Sequence, residues 1–260
     1  MEEGRVKERL SSISHVLSVI SGKGGVGKST VSVNLSYSLA KKGFKVGLMD
    51  ADITGPNLPK LLGIENLEPE VIEKEIIPLE REGVKVISIG LLTHRDFPII
   101  WRGPLRSKAI IQFISDVRWG ELDFLVVDLP PGTGDEAITT MQVLKPEVSL
   151  VVTTPQDLSL LDARKALNMS KYLKIKVIGV IENMSFLRCP NCGERIEIFG
   201  KGGGMKLAKE FGVEYLGEVP FDLEARKMSD LGRIPVLESP NTEFSEKFNQ
   251  ISDRIIQIVS

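Results

Sequence analysis

The residues Gly22-Lys23-Gly24-Gly25-Val26-Gly27-Lys28-Ser29-Thr30 combine glycines, two lysines and two hydroxyls in an order suited to holding phosphate. Gly22, four further residues and then Gly27-Lys28-Ser29 satisfy the pattern G-x-x-x-x-G-K-[ST]. Glycines at this spacing let backbone N–H groups face phosphate oxygens, and a helix starting at the loop's end adds the partial positive charge of its N-terminus. Lys28 can then reach the β- and γ-phosphates of a nucleotide, and the Ser29 hydroxyl can ligate Mg²⁺. Lys23 is surplus to this pattern. Asp128 ends the apolar run Phe124-Leu125-Val126-Val127, where a carboxylate can bind Mg²⁺ directly or through water. Asp50-Ala51-Asp52 closes another apolar run; if extended, its two carboxylates point to opposite faces and can hold different jobs.

Cys189-Pro190-Asn191-Cys192-Gly193 contains the only two cysteines. Two thiolates so spaced form a knuckle that grips one metal from one side, whereas a tetrahedral site needs four ligands. The two histidines, His15 and His94, have no ligand spacing relative to the pair. Two copies of the chain on a two-fold axis supply four cysteines, a set that suits a [4Fe–4S] cluster or a structural zinc. A thioredoxin-like redox pair is disfavoured, because the motif lies in a Gly-rich segment and not at a helix start after a first strand.

The elements that must position these groups alternate. Residues 15–20 read as a buried strand before the glycine loop, and residues 29–42 as a helix stopped by Gly43. Residues 45–50, 124–127, 148–153, 176–181 and 215–219 read as further strands, and residues 76–79 and 84–89 as a short hairpin or turn. Helices are expected from near Pro104 to Trp119, over 158–173 and over 243–260. Strand–helix alternation predicts an α/β fold, a mostly parallel twisted sheet with helices on both faces. Residues 1–12 read as a flexible or helical arm and 13–260 as one domain, with the cysteine segment an insertion at about 184–204.

Formal net charge is −2, which argues against a strongly basic nucleic-acid-binding domain. The charged residues 1–10 lack the apolar core of a secretory leader, and no run approaches the roughly 20 apolar residues of a membrane span. A cytoplasmic chain, with no membrane or nucleic-acid partner, is the expectation.

The loop with its second lysine resembles the deviant Walker (K-G-G-x-G-K-[ST]) ATPases, which include the Mrp/ApbC iron–sulfur carriers, the partition and division-site ATPases and the nitrogenase iron protein. K-G-G-V-G-K-S-T, D-A-D, D-L-P-P-G-T-G-D, E-N-M-S and C-P-N-C together are similar to the Mrp/ApbC (Ind/Nbp-type) carriers, over about residues 10–259. The resemblance implies an ATPase of the P-loop, nitrogenase iron protein-like fold, working as a homodimer that binds ATP and Mg²⁺ and hydrolyses ATP slowly. It implies that Lys23 crosses the dimer interface to the partner's nucleotide, that Asp52 orients the attacking water and that Asp50 lies near Mg²⁺. Gly132, in the switch-like loop after Asp128, is expected to sense the γ-phosphate through its backbone. Asn183 is expected to meet the adenine, with Pro220 and Asp222 in the segment closing the other side of that pocket.

Cys189 and Cys192 are implied to hold a [4Fe–4S] cluster at the dimer interface for delivery to apo iron–sulfur proteins, zinc being the other occupant. Some relatives carry a four-cysteine N-terminal arm with a second cluster. Residues 1–14 contain no cysteine, so that second site is expected to be missing. The rival reading is a partition or division-site switch with structural zinc at the cysteine pair. It anchors poorly here, because the C-terminal amphipathic segment carries Glu243, Glu246 and Asp253 against Lys247 and Arg254, where a membrane-surface helix is basic.

Overall fold

Long apolar runs in this chain form strands buried on both faces, as a sheet covered by helices on each side requires. In the computed structural model, which describes residues 2–92 and 103–260, the strands are β1 (Ile13–Ser21), β2 (Val46–Asp50), β3 (Val71–Ile72), β4 (Glu75–Ile76), β5 (Leu79–Arg81), β6 (Val84–Ser88), β7 (Leu122–Asp128), β8 (Val148–Thr153), β9 (Lys176–Glu182), β10 (Leu187–Arg188), β11 (Arg195–Ile196) and β12 (Glu214–Glu218). The helices are α1 (Glu2–Leu10), α2 (Lys28–Ala40), α3 (Leu58–Leu62), α4 (Gly103–Asp116), α5 (Asp135–Leu144), α6 (Asp157–Tyr172), α7 (Gly203–Phe211), α8 (Leu223–Asp230), α9 (Pro235–Glu238) and α10 (Glu243–Val259). Eight strands make one sheet in the order β12-β9-β8-β1-β7-β2-β6-β5. All its neighbours pair in parallel except β5 with β6.

Side chains alternate across this sheet. In β7, Phe124 and Val126 join a core with α2 and α10, while Leu125 and Val127 join another with α4, α5 and α6. Strand β1 sits centrally between β7 and β8; the chain lays β2, β5 and β6 on one side, returns to insert β7 between β1 and β2, and then adds β8, β9 and β12 on the other side. The loop after β1 therefore lies where strand order reverses, at the carboxyl ends of the strands, which is where open α/β sheets bind ligands.

One expectation shifts, and two segments gain a definite form. The hairpin strand falls at β5 and not at 76–79; Glu82 and Gly83, both with positive φ (48° and 78°), make the two-residue turn into β6. Residue 76 instead pairs in β4 with β3. The N-terminal arm is helical: α1 buries Val6 against the core, and Arg9 pairs with Glu75 and donates to the Ser115 carbonyl. The cysteine segment is a small antiparallel hairpin of its own, β10 with β11. Among the described residues no helix is long and apolar enough to cross a membrane.

Helix α10 locks the sheet's outer half through Phe244, Phe248, Ile251 and Ile255. Phe248 is fully buried. Phe248→Ala is expected to cost roughly 3–5 kcal/mol of stability, read as a lower urea midpoint with an unchanged m-value.

Candidate nucleotide and metal site

Gly27 adopts a left-handed conformation (φ 82°), and α2 begins at the next residue, so Lys28, Ser29 and Thr30 occupy its first turn. Gly22 is needed for another reason. A Cβ built there lies 2.0 Å from the backbone of Asp162, so the loop can rest on α6 only without a side chain at this point.

Asp128 is fully buried at the end of β7. Its Oδ2 accepts from Ser29 Oγ at 2.6 Å and its Oδ1 from Ser32 Oγ at 2.7 Å. Lys28 Nζ lies 2.8 Å from Oδ1 as an ion pair, yet this buried ammonium has no partner in hydrogen-bond geometry, so its donors remain to be spent. A phosphate group fits that deficit. Mg²⁺ fits the hard oxygen set of Ser29 and Asp128, since it commonly takes one or two protein oxygens and completes its shell with water and phosphate.

Asp50 stands beside Asp128 in the β2–β7 register. It is also fully buried, but its oxygens accept from Ser88 Oγ (3.0 Å) and from the amides of Leu58 (3.2 Å) and Asp52 (3.1 Å). Asp50 thus lies next to the carboxylate at the phosphate loop, with both of its oxygens engaged by these donors. Asp52 lines the phosphate cavity, and its Oδ1 accepts from the Thr54 amide and hydroxyl and from the Gly55 amide. Its Oδ2 has no hydrogen-bond donor among the described residues.

This cavity of about 380 Å³ is also lined by Lys23, Gly24, Gly25, Lys28 and Pro131. Asn57 and Lys60, which no motif singled out, lie on its far wall. Lys23 is partly exposed and pairs with no carboxylate among the described residues. Val26 contributes backbone only, its side chain being buried in the core. The Gly132 amide donates to the Ser21 carbonyl at 2.9 Å, which ties the loop after β7 to the end of β1.

A smaller cavity of about 150 Å³ continues past Thr30 and is lined by Asn183, Met184, Pro220, Phe221 and Asp222. Asn183 Nδ2 donates to the Val26 carbonyl at 2.9 Å, which clamps the phosphate loop to the end of β9. Only the rest of the amide remains for a base. Asp222 has a structural task, capping α8 through the amides of Glu224 and Ala225. Ser32, one turn after Ser29, is the residue at the carboxylate that sequence reasoning missed; its i+3 spacing on a helix facing Asp128 was the available signal.

Cys189 and Cys192 stand at the tip of the β10–β11 hairpin, Cys189 partly exposed and Cys192 exposed. The turn closes with Gly193 N donating to the Cys189 carbonyl and Cys189 N to the Glu194 carbonyl, Gly193 having φ 74°. Backbone N–H groups of Cys192, then Asn191, donate to the Cys189 sulfur and hold its thiol pKa below the usual value, with the Cys192 thiol adding to this. Those donors make a pre-shaped thiolate knuckle. No third His, Cys, Asp or Glu joins it among the described residues. His15 is engaged elsewhere, with Glu147 at 2.8 Å and stacked on Phe124, while His94 lies outside the described residues.

The model of the NUBPL iron-transfer P-loop NTPase family, within the ParA group, matches residues 12–256. The chain belongs to this family. Among curated relatives of this P-loop NTPase, the iron–sulfur cluster carrier protein of Methanocaldococcus jannaschii is 50% identical over 262 residues, covering 99% of this chain and 89% of the relative. That of Pyrococcus horikoshii is 47% identical over 266 residues, covering 98% and 90%. A solved nucleotide-binding protein from Archaeoglobus fulgidus, in complex with ADP and with cobalt found in it, superposes with a TM-score of 0.82 at 41% identity, covering 95% of this chain and 96% of that one. The cell division ATPase MinD of Pyrococcus furiosus shares the fold, with a TM-score of 0.68 at 24% identity over 94% of this chain and 99% of that one.

Burial above all, then the neighbouring Asp128 charge, raises the Asp50 pKa to about 7, with Lys28 pulling the other way. In the unfolded chain the same group titrates near 3.8. Between those values the folded NTPase holds a proton that the unfolded chain has released. The stability this neutral acid contributes is therefore full below about pH 4 and is lost as pH rises through about 7. The nucleotide-free protein is expected to lose more melting temperature between about pH 5 and about pH 8 than Asp50→Asn, which cannot titrate. Differential scanning calorimetry showing equal slopes would contradict this.

Proposed function

We propose that this chain is an iron–sulfur cluster carrier that binds Mg·ATP, hydrolyses it slowly, and holds one [4Fe–4S] cluster between two copies for delivery to apoproteins. The observation that carries the reading is the half-set of thiolates, pre-shaped on a hairpin that starts four residues after the asparagine clamping the phosphate loop. The names of the relatives and the cobalt in the A. fulgidus protein agree with a metal-handling chain. The knuckle chemistry also accepts zinc, which is the occupant to be displaced in the test below.

In this reading Lys28 spends its free donors on the nucleotide's phosphates, and the carboxylate of Asp128 with the Ser29 hydroxyl holds Mg²⁺, which supplies charge neutralisation at the phosphates. Asp52 directs the attacking water through Oδ2, its other oxygen being pinned by the Thr54–Gly55 turn. None of these groups is a strong base, so hydrolysis rests on positioning and charge stabilisation and is slow. For Gly132 to meet a γ-phosphate, its amide must leave Ser21, which makes the loop after Asp128 responsive to the nucleotide. Lys23 completes the partner's site.

Two measurements check this. Anaerobic reconstitution is expected to give about four irons per dimer, lost in Cys189→Ala or Cys192→Ala while ATP binding survives. A full cluster on a monomer, or zinc that iron and sulfide cannot replace, would defeat the reading. Mixing Lys23→Ala with Asp52→Ala chains is expected to restore ATPase activity in mixed dimers, since a lysine acting across the interface puts both defects in one site and leaves the other intact. Mixtures no more active than the separate variants would place Lys23 in its own site.

A further inference from the structure

Beyond the cysteine tip, the hairpin borders a cleft of about 360 Å³ at the sheet's edge, between α7 and α10. Four cations from three parts of the chain converge on it: Arg195 from β11, Lys201 just before α7, and Lys247 and Arg254 two turns apart on α10. Two carboxylates answer them. Glu218 takes both nitrogens of Arg195 at 2.8 Å and lies 3.8 Å from Lys247, and Glu197 lies 3.1 Å from Lys201. Arg254 has no carboxylate partner among the described residues and donates from Nη1 to the carbonyls of Tyr215 and Leu216. The cleft thus holds an excess of positive charge in a chain whose formal net charge is −2.

We infer that this cleft is the docking surface for an acidic segment of the recipient apoprotein. The inference rests on the carrier reading above and names the chemistry of its partner. Position supports it: Arg195 pairs in register with Arg188, and Cys189 to Glu194 form the intervening loop, so a segment held by Arg195 and Lys201 lies beside the cluster ligands. Charge supports it too, because a cluster held by thiolates is anionic and repels an acidic recipient unless cations lie alongside. Glu218 in the cleft and Glu197 against Lys201 break up its positive field, which disfavours a continuous polyphosphate backbone and suits a peptide of discrete side-chain charges. Arg254 already satisfies two carbonyls of the edge strand β12, so the cleft offers charge and not strand addition.

The experiment uses the full chain with Lys201→Glu and Lys247→Glu combined; neither side chain touches the cysteines or lines the phosphate cavity. In one arm, fluorescence anisotropy follows a labelled peptide of about ten residues alternating Glu and Ser, at low and high salt. In the other, the reconstituted holoprotein transfers its cluster to an acidic apo-ferredoxin. Peptide affinity and transfer rate are each expected to fall on the order of tenfold at low salt, the gap closing as salt rises, with iron content and ATP affinity unchanged. Undiminished peptide binding or transfer in the variant overturns the inference. So does displacement of the peptide by inorganic phosphate at low millimolar concentration, or tighter binding of a labelled single-stranded RNA that the same variant abolishes. If the wild-type chain takes up no cluster, the carrier reading fails while the peptide arm still decides the cleft.

Discussion

The constraint on which the site depends is a carboxylate buried with no access to water. Asp128 is tolerable at the end of a central strand only because α2 brings two hydroxyls and an ammonium to it. Removing a charge from water costs several kcal/mol unless it is paired and hydrogen-bonded, so helix and strand are bound together by the same contacts that set this carboxylate against the phosphate loop. The ammonium is only partly satisfied by this pairing. Its remaining donors are a standing demand for an anion, and in that sense the site is built around a phosphate. Asp50 responds to the same burial: desolvation first, and the neighbouring Asp128 charge second, push its carboxyl toward the neutral form.

Much of this architecture was legible from local pattern. The central strands are runs dominated by β-branched and aliphatic residues, their interior Ser18 and Ser149 hydroxyls bonded to each other, which a sheet covered on both faces accommodates, and Gly27-Lys28 marks the turn into α2. The cysteine segment was legible as a break in the alternation, and the structure gives it a hairpin of its own. Strand boundaries near Ile76 were misplaced because a short apolar run does not reveal its register. That register was decided by the tight turn at Glu82-Gly83 and by pairing with β3.

Roles of single side chains were harder to read, because they depend on contacts between distant segments. Asn183 looks like a strand-end polar residue, yet it reaches across 157 positions to the phosphate loop. Asp222, in the wall of the cavity beside Asn183, also caps α8, a task its position in the sequence did not reveal. The Gly132 amide could not be assigned from composition, since its partner at Ser21 is chosen by how β1 and the loop after β7 end side by side. In each case the missing information was three-dimensional proximity, which a hydrophobic pattern does not encode.

The cysteine hairpin is attached differently from everything around it. Its strands are two residues each, and it is fastened by Arg195 to Glu218, by Arg188 to Glu243 and by both guanidiniums over the Phe186 ring. Pairs at a partly exposed surface contribute little compared with burial of core side chains. The hairpin is therefore a separate opening unit: it can lift and re-seat at a small fraction of the free energy that unfolds the sheet, and its amides should exchange with solvent long before those of β1 or β7. The two cysteines ride on a lightly fastened part of a rigid body, so their surroundings can rearrange without disturbing the core beneath the phosphate loop.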